Sequence, residues 1–419
     1  MTQTRRIQPI GRIVGTARPP GSKSLTNRAL LVAALTDGHS RISGALASDD
    51  TRFMVSALRD LGLEVAESDD GTTLDIHGQG AFPARSASLY VGNAGTAMRF
   101  LTAALSANTG EYAIDGDERM RQRPIADLVE ALNELDVSVT AENGCPPVRI
   151  SSQGLEGGRC SVPGTTSSQY ISAILMAAPL ARNDVELAIR GDLVSAPYVD
   201  MTLDVMEHFG VSVPRDDRTV YRVTAGTAYH AADYAVEPDA SAASYFFGAA
   251  AITGGTVRVN GLGSRSVQGD MAFISLLEKM GCTIHQGADW TEVTGGSLRG
   301  IQADMRDISD TAMTLAVVAL FAEGLTHISG ISNVRVKESD RIAAVATEAR
   351  KMGAEVEELP DGMVIHPRPL HGTTISTYND HRIAMSFAIA GLRVPDVIIS
   401  DPGCVSKTFP DFFGNLWGA

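Results

Sequence analysis

The chain is poor in the residues that most metal and disulfide proteins need. Its 419 residues include only four cysteines, with no Cys-x-x-Cys pair, and nine scattered histidines, with no His-x-His or His-Glu-x-x-His motif. We therefore expect no metal site, and we expect reduced thiols in a cytoplasmic protein. The opening segment MTQTRRIQPIG lacks the apolar core of a signal peptide, which agrees with that location.

Long apolar runs and an excess of positive charge are missing as well. Runs such as ISAILMAAPLA fall well short of a membrane span. The formal net charge is −14, from 35 Lys and Arg against 49 Asp and Glu, which argues against nucleic-acid binding. The 44% of hydrophobic residues is typical of a globular protein, and 419 residues are enough for two or more domains. A cationic site must then be a local concentration within an acidic protein.

A Walker phosphate loop is excluded by spacing. Five residues separate Gly15 from Gly21, and Ser22 separates Gly21 from Lys23. The same region nevertheless reads ARPPGSKSLTNRALLVAAL, a break followed by Lys23 and Arg28 at the start of an apolar helix. Helix N-termini already favour anions, so two added cations indicate a doubly charged guest such as a phosphate. The alternative is a capped core helix with two solvated cations.

Six segments of the chain resemble one another. Each begins polar, continues as a helix of small apolar residues, crosses a turn and ends as an alternating strand. The predicted helix starts, about 70 residues apart, lie near Ser24, Gly95, Ser168, Ala240, Asp310 and Asp380. An amphipathic helix and a hairpin follow five of the six segments, so the unit is roughly β-α-β-α-β-β.

The repeats predict two domains of three units each. After the sixth first half the chain ends, so the strand-like N-terminus is the natural candidate to complete the last unit. We expect a first domain over residues 22–237 and a discontinuous second domain over 1–21 plus 238–419. The first helix of each unit is apolar nearly all round, which predicts burial on all sides. If the buried helices in each domain are parallel, their polar N-termini point to the mouth between the domains.

Polar and cationic residues recur at those helix starts. The candidates are Lys23, Ser24, Arg28, Asn93, Gly95, Thr96, Arg123, Ser167, Ser168, Gln169, Ser195, Tyr198, Asp310, Asn333, Lys337, Glu338, Arg341, His381, Arg382 and Lys407. Convergent Arg and Lys with hydroxyls and glycine amides suit phosphate and carboxylate oxygens. Clustered cations in a protein of net charge −14 cost stability unless anions bind.

Each motif also has an ordinary structural interpretation. Asn93 and Thr96 could cap a helix, SSQ could be a capping box, and NDHR could be a turn. The segment VKESDR could be a solvated charged face, although the pair Lys337 and Arg341 is disfavoured unless an anion sits between them. These interpretations leave the recurrence of cations at one phase of several repeats unexplained.

The motifs PGSKSLTNRALL, GNAGTAMR, RQRPI, SSQY, GDLVSAPY, DASAASYF, RVKESDR, YNDHRIAMSF and KTFPDFF closely resemble those of the 5-enolpyruvylshikimate-3-phosphate synthases. The resemblance covers the whole chain. It implies an α/β fold, with two inside-out α/β barrel domains of three units each that close over substrate. It also implies an enzyme of the shikimate pathway, inhibited by glyphosate, that transfers the enolpyruvyl group of phosphoenolpyruvate to the 5-hydroxyl of shikimate 3-phosphate. No cofactor is implied, and we expect a monomer with no nucleic-acid or membrane partner.

The resemblance also assigns roles to the candidates. The catalytic set would be Asp310 as base and Glu338 as proton donor, with Lys23, Lys337 and His381. Shikimate 3-phosphate, mainly on the first domain, would be bound by Lys23, Ser24, Arg28, Ser167, Ser168, Gln169, Ser195, Tyr198, Asp310, Asn333 and Lys337. Phosphoenolpyruvate would be bound by Lys23, Asn93, Gly95, Thr96, Arg123, Gln169, Arg341, Arg382 and Lys407.

Two alternatives stay open on sequence alone. The sister family, which transfers the same group to UDP-N-acetylglucosamine, typically has GAKN where this chain has GSKS, and a reactive cysteine in the loop GDERMRQRP. No cysteine lies between Met1 and Pro124. A non-catalytic anion-binding protein would need the cations but not the acids Asp310 and Glu338. The chain departs from the resemblance at Phe100, where proline is common, which bears on glyphosate sensitivity.

Overall fold

The computed structural model describes residues 3–215 and 218–415 and has a mixed α/β fold. The chain divides into two compact units, Gly21–Glu237 and a discontinuous unit of Met1–Pro20 with Pro238–Ala419. Within the described ranges, no helix is both long and apolar enough to cross a membrane.

In the described residues, successive helices are separated by one or more short strands. They are α1 (Lys23–Ala34), α2 (Asp49–Asp60), α3 (Gly95–Ser106), α4 (Ala126–Glu134), α5 (Ser168–Ala177), α6 (Ala196–His208), α7 (Ala240–Thr253), α8 (Phe273–Met280), α9 (Ala312–Ala319), α10 (Arg341–Lys351), α11 (His381–Gly391) and α12 (Phe412–Asn415). A 3₁₀ turn over Ser309–Thr311 precedes α9, so the predicted helix start at Asp310 is a tighter turn rather than the first α-helical residue.

The strands are two to seven residues long. They are β1 (Thr4–Arg6), β2 (Val14–Ala17), β3 (Asp37–Ser43), β4 (Glu64–Glu67), β5 (Thr73–Gln79), β6 (Ser86–Tyr90), β7 (Thr109–Asp115), β8 (Ser138–Ala141), β9 (Val148–Gln153), β10 (Gly158–Pro163), β11 (Val185–Arg190), β12 (Val220–Val223), β13 (Tyr234–Ala235), β14 (Thr256–Asn260), β15 (Thr283–Gln286), β16 (Trp290–Thr294), β17 (Gln302–Asp304), β18 (Thr326–Ser329), β19 (Glu355–Leu359), β20 (Gly362–His366), β21 (Thr374–Ile375) and β22 (Ile398–Ser400).

Six small sheets repeat one strand arrangement, a parallel pair followed by antiparallel neighbours. In the unit Gly21–Glu237 the orders are β13-β3-β5-β4, β6-β7-β9-β8 and β10-β11-β12. In the discontinuous unit they are β2-β14-β16-β15, β17-β18-β20-β19 and β21-β22-β1. All six are open in the described residues, with no closed barrel among them.

Both N-terminal strands pair with strands from the far end of the sequence. Strand β1 is antiparallel to β22, with Thr4 opposite Ser400, and β2 is parallel to β14, with Val14 opposite Thr256. The N-terminal segment thus supplies the third strand of one sheet and an edge strand of another. Because these pairings join residues hundreds of positions apart, local propensity cannot encode them.

The first helix of each repeat is buried over nearly all of its surface. Every residue of α3, α7, α9 and α11 is buried, as the all-round apolar sequences predict. The second helices, such as α2 and α8, instead bury one face and expose the other. Polar side chains at the starts of the buried helices therefore have few routes to water except at the helix ends, where the candidate residues lie.

Candidate active site

Lys23 begins α1 and forms an ion pair with Asp50, a residue that was not among the candidates. Its Nζ lies 3.2 Å from Oδ2 of Asp50, whose side chain is buried in the first turn of α2. A buried carboxylate needs a charged or hydrogen-bonding partner, so Asp50 positions the Lys23 amine. The sequence signal was weak, because acids in the first turn of a helix are common for reasons of the helix dipole alone.

Arg28 is completely buried between helices. Its Nε donates to Thr202 Oγ1 at 2.7 Å, Nη1 to the Ser24 carbonyl at 2.9 Å, and Nη2 to Ser172 Oγ and the Tyr198 carbonyl at 3.2 and 3.0 Å. Burial lowers the pKa of Arg28 to about 10. The guanidinium ties α1 to α5 and α6, so binding of a substrate carboxylate by Arg28 would require it to exchange one of these acceptors.

Gly95 and Arg123 form one compact feature. Nη1 of Arg123 donates to Asn93 through both the carbonyl, at 3.1 Å, and Oδ1, at 2.8 Å. A Cβ added at Gly95 would lie 2.7 Å from Arg123 Nη2, so glycine is what lets the guanidinium rest on the helix start. The buried Nε of Arg123 has no hydrogen-bond partner in the described part of the chain. This feature joins a cation to the amide-rich N-terminus of α3.

The capping interpretation of Asn93 and Thr96 is wrong. The N-cap of α3 is Ala94, with no side-chain cap, while Thr96 Oγ1 accepts from Asn27 Nδ2 at 2.6 Å. Asn93 instead accepts from Arg123. Both side chains therefore organise the helix start rather than cap it.

Arg99 is a second residue that was not among the candidates and that contacts one of their neighbours, Pro124. It is buried in α3, and its Nη2 donates to the Pro124 carbonyl at 2.8 Å, an atom that also accepts from the Tyr170 hydroxyl at 2.6 Å. Two donors thus fix the backbone directly after Arg123. Arg99 ends the motif GNAGTAMR, but an arginine inside an apolar helix does not by itself indicate this contact.

The hydroxyl-rich candidates sit at the starts of α5 and α6. Ser167 is the N-cap of α5 and accepts from the Gln169 backbone N–H at 3.2 Å, while Ser168 is its first residue. Ser195 precedes α6 in a left-handed conformation with φ 56°. A backbone hydrogen bond of 3.0 Å from Val194 to Gly164 ties the two loops together. Helix N-termini that carry hydroxyls suit a phosphate.

Asp310 is the centre of a charge cluster in the discontinuous unit. Its Oδ1 lies 2.6 Å from Lys337 Nζ and 3.2 Å from Arg341 Nη1, and its Oδ2 lies 2.8 Å from Arg382 Nη2. The like-charged pair Lys337 and Arg341 therefore does have an anion between its members, and that anion is the protein's own carboxylate. The solvated-face interpretation of VKESDR is wrong for these residues.

Arg341 links Asp310 to two further carboxylates. Its Nε donates to Asp380 Oδ2 at 2.8 Å and its Nη2 to Glu338 Oε2 at 2.9 Å, and the arginine side chain is only 1% exposed. Asp380 also caps α11 by accepting from the Arg382 backbone N–H at 2.9 Å. One guanidinium thus contacts both predicted acid–base residues, Asp310 and Glu338.

The cluster sets the protonation of its members. Burial opposes ionisation of Asp310, but the charges of Arg382, Lys337 and Arg341 outweigh it and hold the pKa of Asp310 well below its usual range. Burial lowers the pKa of Lys337, in spite of its ion pair with Asp310. For Arg341, burial is outweighed by Asp380, Glu338 and Asp310, which raise its pKa. Asp310 is therefore an ionised acceptor held by cations.

Three further candidates belong to the same unit as this cluster. Asn333 Nδ2 donates to Ser309 Oγ at 3.3 Å, and no hydrogen-bond partner for its buried Oδ1 is found in residues 3–215 and 218–415. His381 is buried with Nδ1 3.7 Å from Asp380 Oδ1, so this contact is to the helix cap. Lys407 ends a 3₁₀ turn and is half-buried. The roles assigned to these three residues stay predictions.

Among the described residues, no group of three or more His, Cys, Asp or Glu side chains could hold a metal ion. The acids near the cluster are instead engaged with arginine and lysine, which suits chemistry on anionic substrates.

Comparison with known proteins gives one consistent result. Residues 7–416 match the family model of EPSP synthase (3-phosphoshikimate 1-carboxyvinyltransferase). The chain is 49% identical to the 3-phosphoshikimate 1-carboxyvinyltransferase of Yersinia ruckeri, covering 99% of this chain and 98% of that protein. It is also 49% identical to the enzyme of that name from Vibrio atlanticus, covering 98% of each.

Solved structures agree. An EPSP synthase from Acinetobacter baumannii superposes with a TM-score of 0.81 at 28% identity, covering 99% of this chain and 97% of that one. The enolpyruvyl transferase NikO from Streptomyces tendae superposes with a TM-score of 0.77 at 17% identity, which shows a shared fold alone.

Proposed function

The chain belongs to the EPSP synthase family, and we propose that the residues described above carry out that family's reaction. In it, the 5-hydroxyl of shikimate 3-phosphate attacks C2 of phosphoenolpyruvate while C3 takes a proton. The tetrahedral intermediate then loses phosphate from C2 and one proton from C3, which restores the C2–C3 double bond and leaves the enolpyruvyl ether. Such a site must neutralise two phosphates and two carboxylates and supply one base and one acid.

The observation that carries the assignment is the Arg341 guanidinium, which lies 3.2 Å from Asp310 and 2.9 Å from Glu338. Asp310 would take the proton of the attacking hydroxyl, and Glu338 would deliver one to C3. A protein that only binds anions gains nothing from two carboxylates among its cations, since they compete with the ligand. The acids therefore favour catalysis over simple binding.

Substrate binding follows from the same distribution of groups. Shikimate 3-phosphate would use the hydroxyls at the starts of α5 and α6, with Lys23, Ser24, Arg28, Gln169, Tyr198, Asp310, Asn333 and Lys337. Phosphoenolpyruvate would use Arg123 beside Gly95, with Lys23, Asn93, Thr96, Gln169, Arg341, Arg382 and Lys407. The ion pair of Lys23 with Asp50 would keep the amine in place for both ligands.

The proposal extends to the architecture and state of the protein. Each unit would be an inside-out α/β barrel, which the buried helices and the repeated strand arrangement support. The protein would act as a cytoplasmic monomer, which gel filtration with light scattering tests.

The test is an acceptor comparison. Phosphate release from phosphoenolpyruvate is measured with shikimate 3-phosphate and, separately, with UDP-N-acetylglucosamine. We expect release only with shikimate 3-phosphate. Release with the UDP-sugar alone would establish the sister activity, and no release with either acceptor from a folded protein would contradict the enzyme assignment.

A further inference from the structure

The segment just before α11 has an unusual backbone. Tyr378 and Asn379 are consecutive residues with positive φ, 56° and 53°. Asparagine tolerates the left-handed region, but a bulky residue such as tyrosine adopts it rarely. The next three residues are Asp380, His381 and Arg382, so the turn delivers part of the charge cluster. A conformation this sparsely populated persists only when surrounding contacts hold it.

Glu348 provides those contacts. Its carboxylate, on α10, is fully buried, and its Oε1 accepts from the Tyr378 hydroxyl at 2.6 Å and from Lys351 Nζ at 2.8 Å. Its Oε2 accepts from the Ser376 backbone N–H at 3.0 Å and again from Lys351 at 3.0 Å. A buried carboxylate that accepts four hydrogen bonds from three donor groups is a rigid anchor. Two of those donors belong to the segment that enters the turn.

The turn is connected to the charge cluster by direct hydrogen bonds. The Thr377 carbonyl accepts from the Asp380 backbone N–H at 2.8 Å. The Asp380 carboxylate in turn accepts from Arg341 Nε at 2.8 Å. Arg382, two residues further on, donates from Nη2 to Asp310 Oδ2 at 2.8 Å. Helix α10 itself begins at Arg341, so Glu348 joins the two elements that carry these arginines.

We propose that Glu348 is a positioning residue for the transferase reaction. By holding Tyr378 in the left-handed turn, it sets Arg341 and Arg382 in the geometry that receives the oxygens of phosphoenolpyruvate. The inference rests on the proposed binding of phosphoenolpyruvate by these arginines. In the proposed arrangement, Arg341 and Arg382 contact phosphoenolpyruvate, and Glu348 and Tyr378 do not.

Tyr378→Phe is the sharpest variant, because Tyr378 is 43% exposed and its hydroxyl is the group that donates to Glu348. Loss of one hydrogen bond to a charged group should raise KM for phosphoenolpyruvate about tenfold. The effect on kcat at saturating phosphoenolpyruvate should be much smaller than the effect on this KM, because the bound substrate itself holds the arginines. The KM for shikimate 3-phosphate should change little, because the hydroxyls proposed to hold its phosphate belong to the starts of α5 and α6. Glu348→Gln should also raise KM for phosphoenolpyruvate.

A glycine variant separates positioning from general stability. Tyr378→Gly removes the hydroxyl as well, but it also relieves the strain at the bulky turn residue, since glycine adopts positive φ without steric cost. Tyr378→Gly should therefore keep more of the affinity for phosphoenolpyruvate than Tyr378→Phe does. Tyr90→Phe, at another exposed tyrosine outside the site, serves as the matched control and should leave KM unchanged.

Arg382→Lys, measured in parallel, tells the two possible failures apart. If it leaves KM for phosphoenolpyruvate unchanged, the assignment of that substrate to the arginine fails, and the inference fails with it. If Arg382→Lys raises KM while Tyr378→Phe and Glu348→Gln do not, Glu348 serves the core only, and the inference alone is overturned.

Discussion

Replacing Asp310 by asparagine tests the charge logic of the cluster. The substitution keeps size and shape but removes the negative charge that Lys337, Arg341 and Arg382 share. Arg341 would keep its hydrogen bonds to Asp380 and Glu338. The single oxygen of the substituted amide, however, could accept from only some of the three cations. Three convergent cations would then repel one another with less compensation.

The size of the effect follows from burial. Removing one partner of a buried ion pair costs about 3–5 kcal/mol. The Asp310 and Lys337 side chains are 19% and 23% exposed, and Arg341 retains other acids, so we expect the lower end, about 3 kcal/mol. In a unit of about 200 residues this lowers the melting temperature by about 6–12 °C. Turnover should fall by about 10² or more, because the base is lost.

The pH dependence has a definite sign. The pKa of Asp310 is depressed in the folded protein, so its contribution to stability is present above its unfolded pKa and is lost as pH falls through the folded pKa. The difference in melting temperature between the wild type and Asp310→Asn should thus be constant near neutral pH and should shrink below about pH 4. Added inorganic phosphate should stabilise the variant more than the wild type, because it replaces the missing charge.

Asp304→Asn is the matched control. It breaks an exposed ion pair with Arg306 in the same unit, which contributes less than about 1 kcal/mol. If Asp310→Asn and this control have the same melting temperature at pH 7, the ion-pair reasoning is refuted. If the kcat of Asp310→Asn equals that of the wild type, Asp310 is not the base.

Three more results are expected. Glu338→Gln should lower kcat by about 10² while the variant still binds both substrates, measured by steady-state kinetics and calorimetry; wild-type turnover would remove Glu338 from the mechanism. Gly95→Ala places a Cβ 2.7 Å from Arg123 Nη2, so KM for phosphoenolpyruvate should rise at least about tenfold. The KM for shikimate 3-phosphate should rise much less, and equal rises would contradict the assignment of Arg123 to phosphoenolpyruvate. Phe100→Leu removes the ring that lies 5.1 Å from the Arg28 guanidinium, and should cost about 2 kcal/mol in thermal unfolding; an unchanged melting temperature would mean that the stacking contributes nothing.

Burial of the first helices could be predicted from sequence because their composition leaves no polar face. Helix α7, for example, is apolar on every side, and no arrangement except enclosure satisfies it. The pairing of β1 with β22 was accessible only through the repeat, since nothing local specifies a partner almost 400 residues away. The 3₁₀ turn before α9 was not predictable, because the Asp310 side chain is held by three distant cations there.

The cations of the site were visible in the sequence because they recur at one phase of the repeats. Their partners were not. Asp50 and Arg99 lie among ordinary first-turn acids and apolar helix residues, and only the fold brings them to Lys23 and Pro124. The acceptor that Thr202 offers to Arg28 lies 174 residues away. Sequence spacing therefore located the helix ends, whereas tertiary contacts decided which side chains are held and by what.

The ionic state of Asp310 links binding to catalysis. A carboxylate whose pKa is held far below its usual range by Lys337, Arg341 and Arg382 is a poor base. The substrates in the proposed reaction bring phosphate and carboxylate groups to the same cations. Each cation that turns toward a substrate oxygen weakens its pairing with Asp310, and the pKa of the carboxyl rises as a result. Asp310 would then become basic only when its cations are occupied, so that proton removal from the hydroxyl depends on prior binding of both anions.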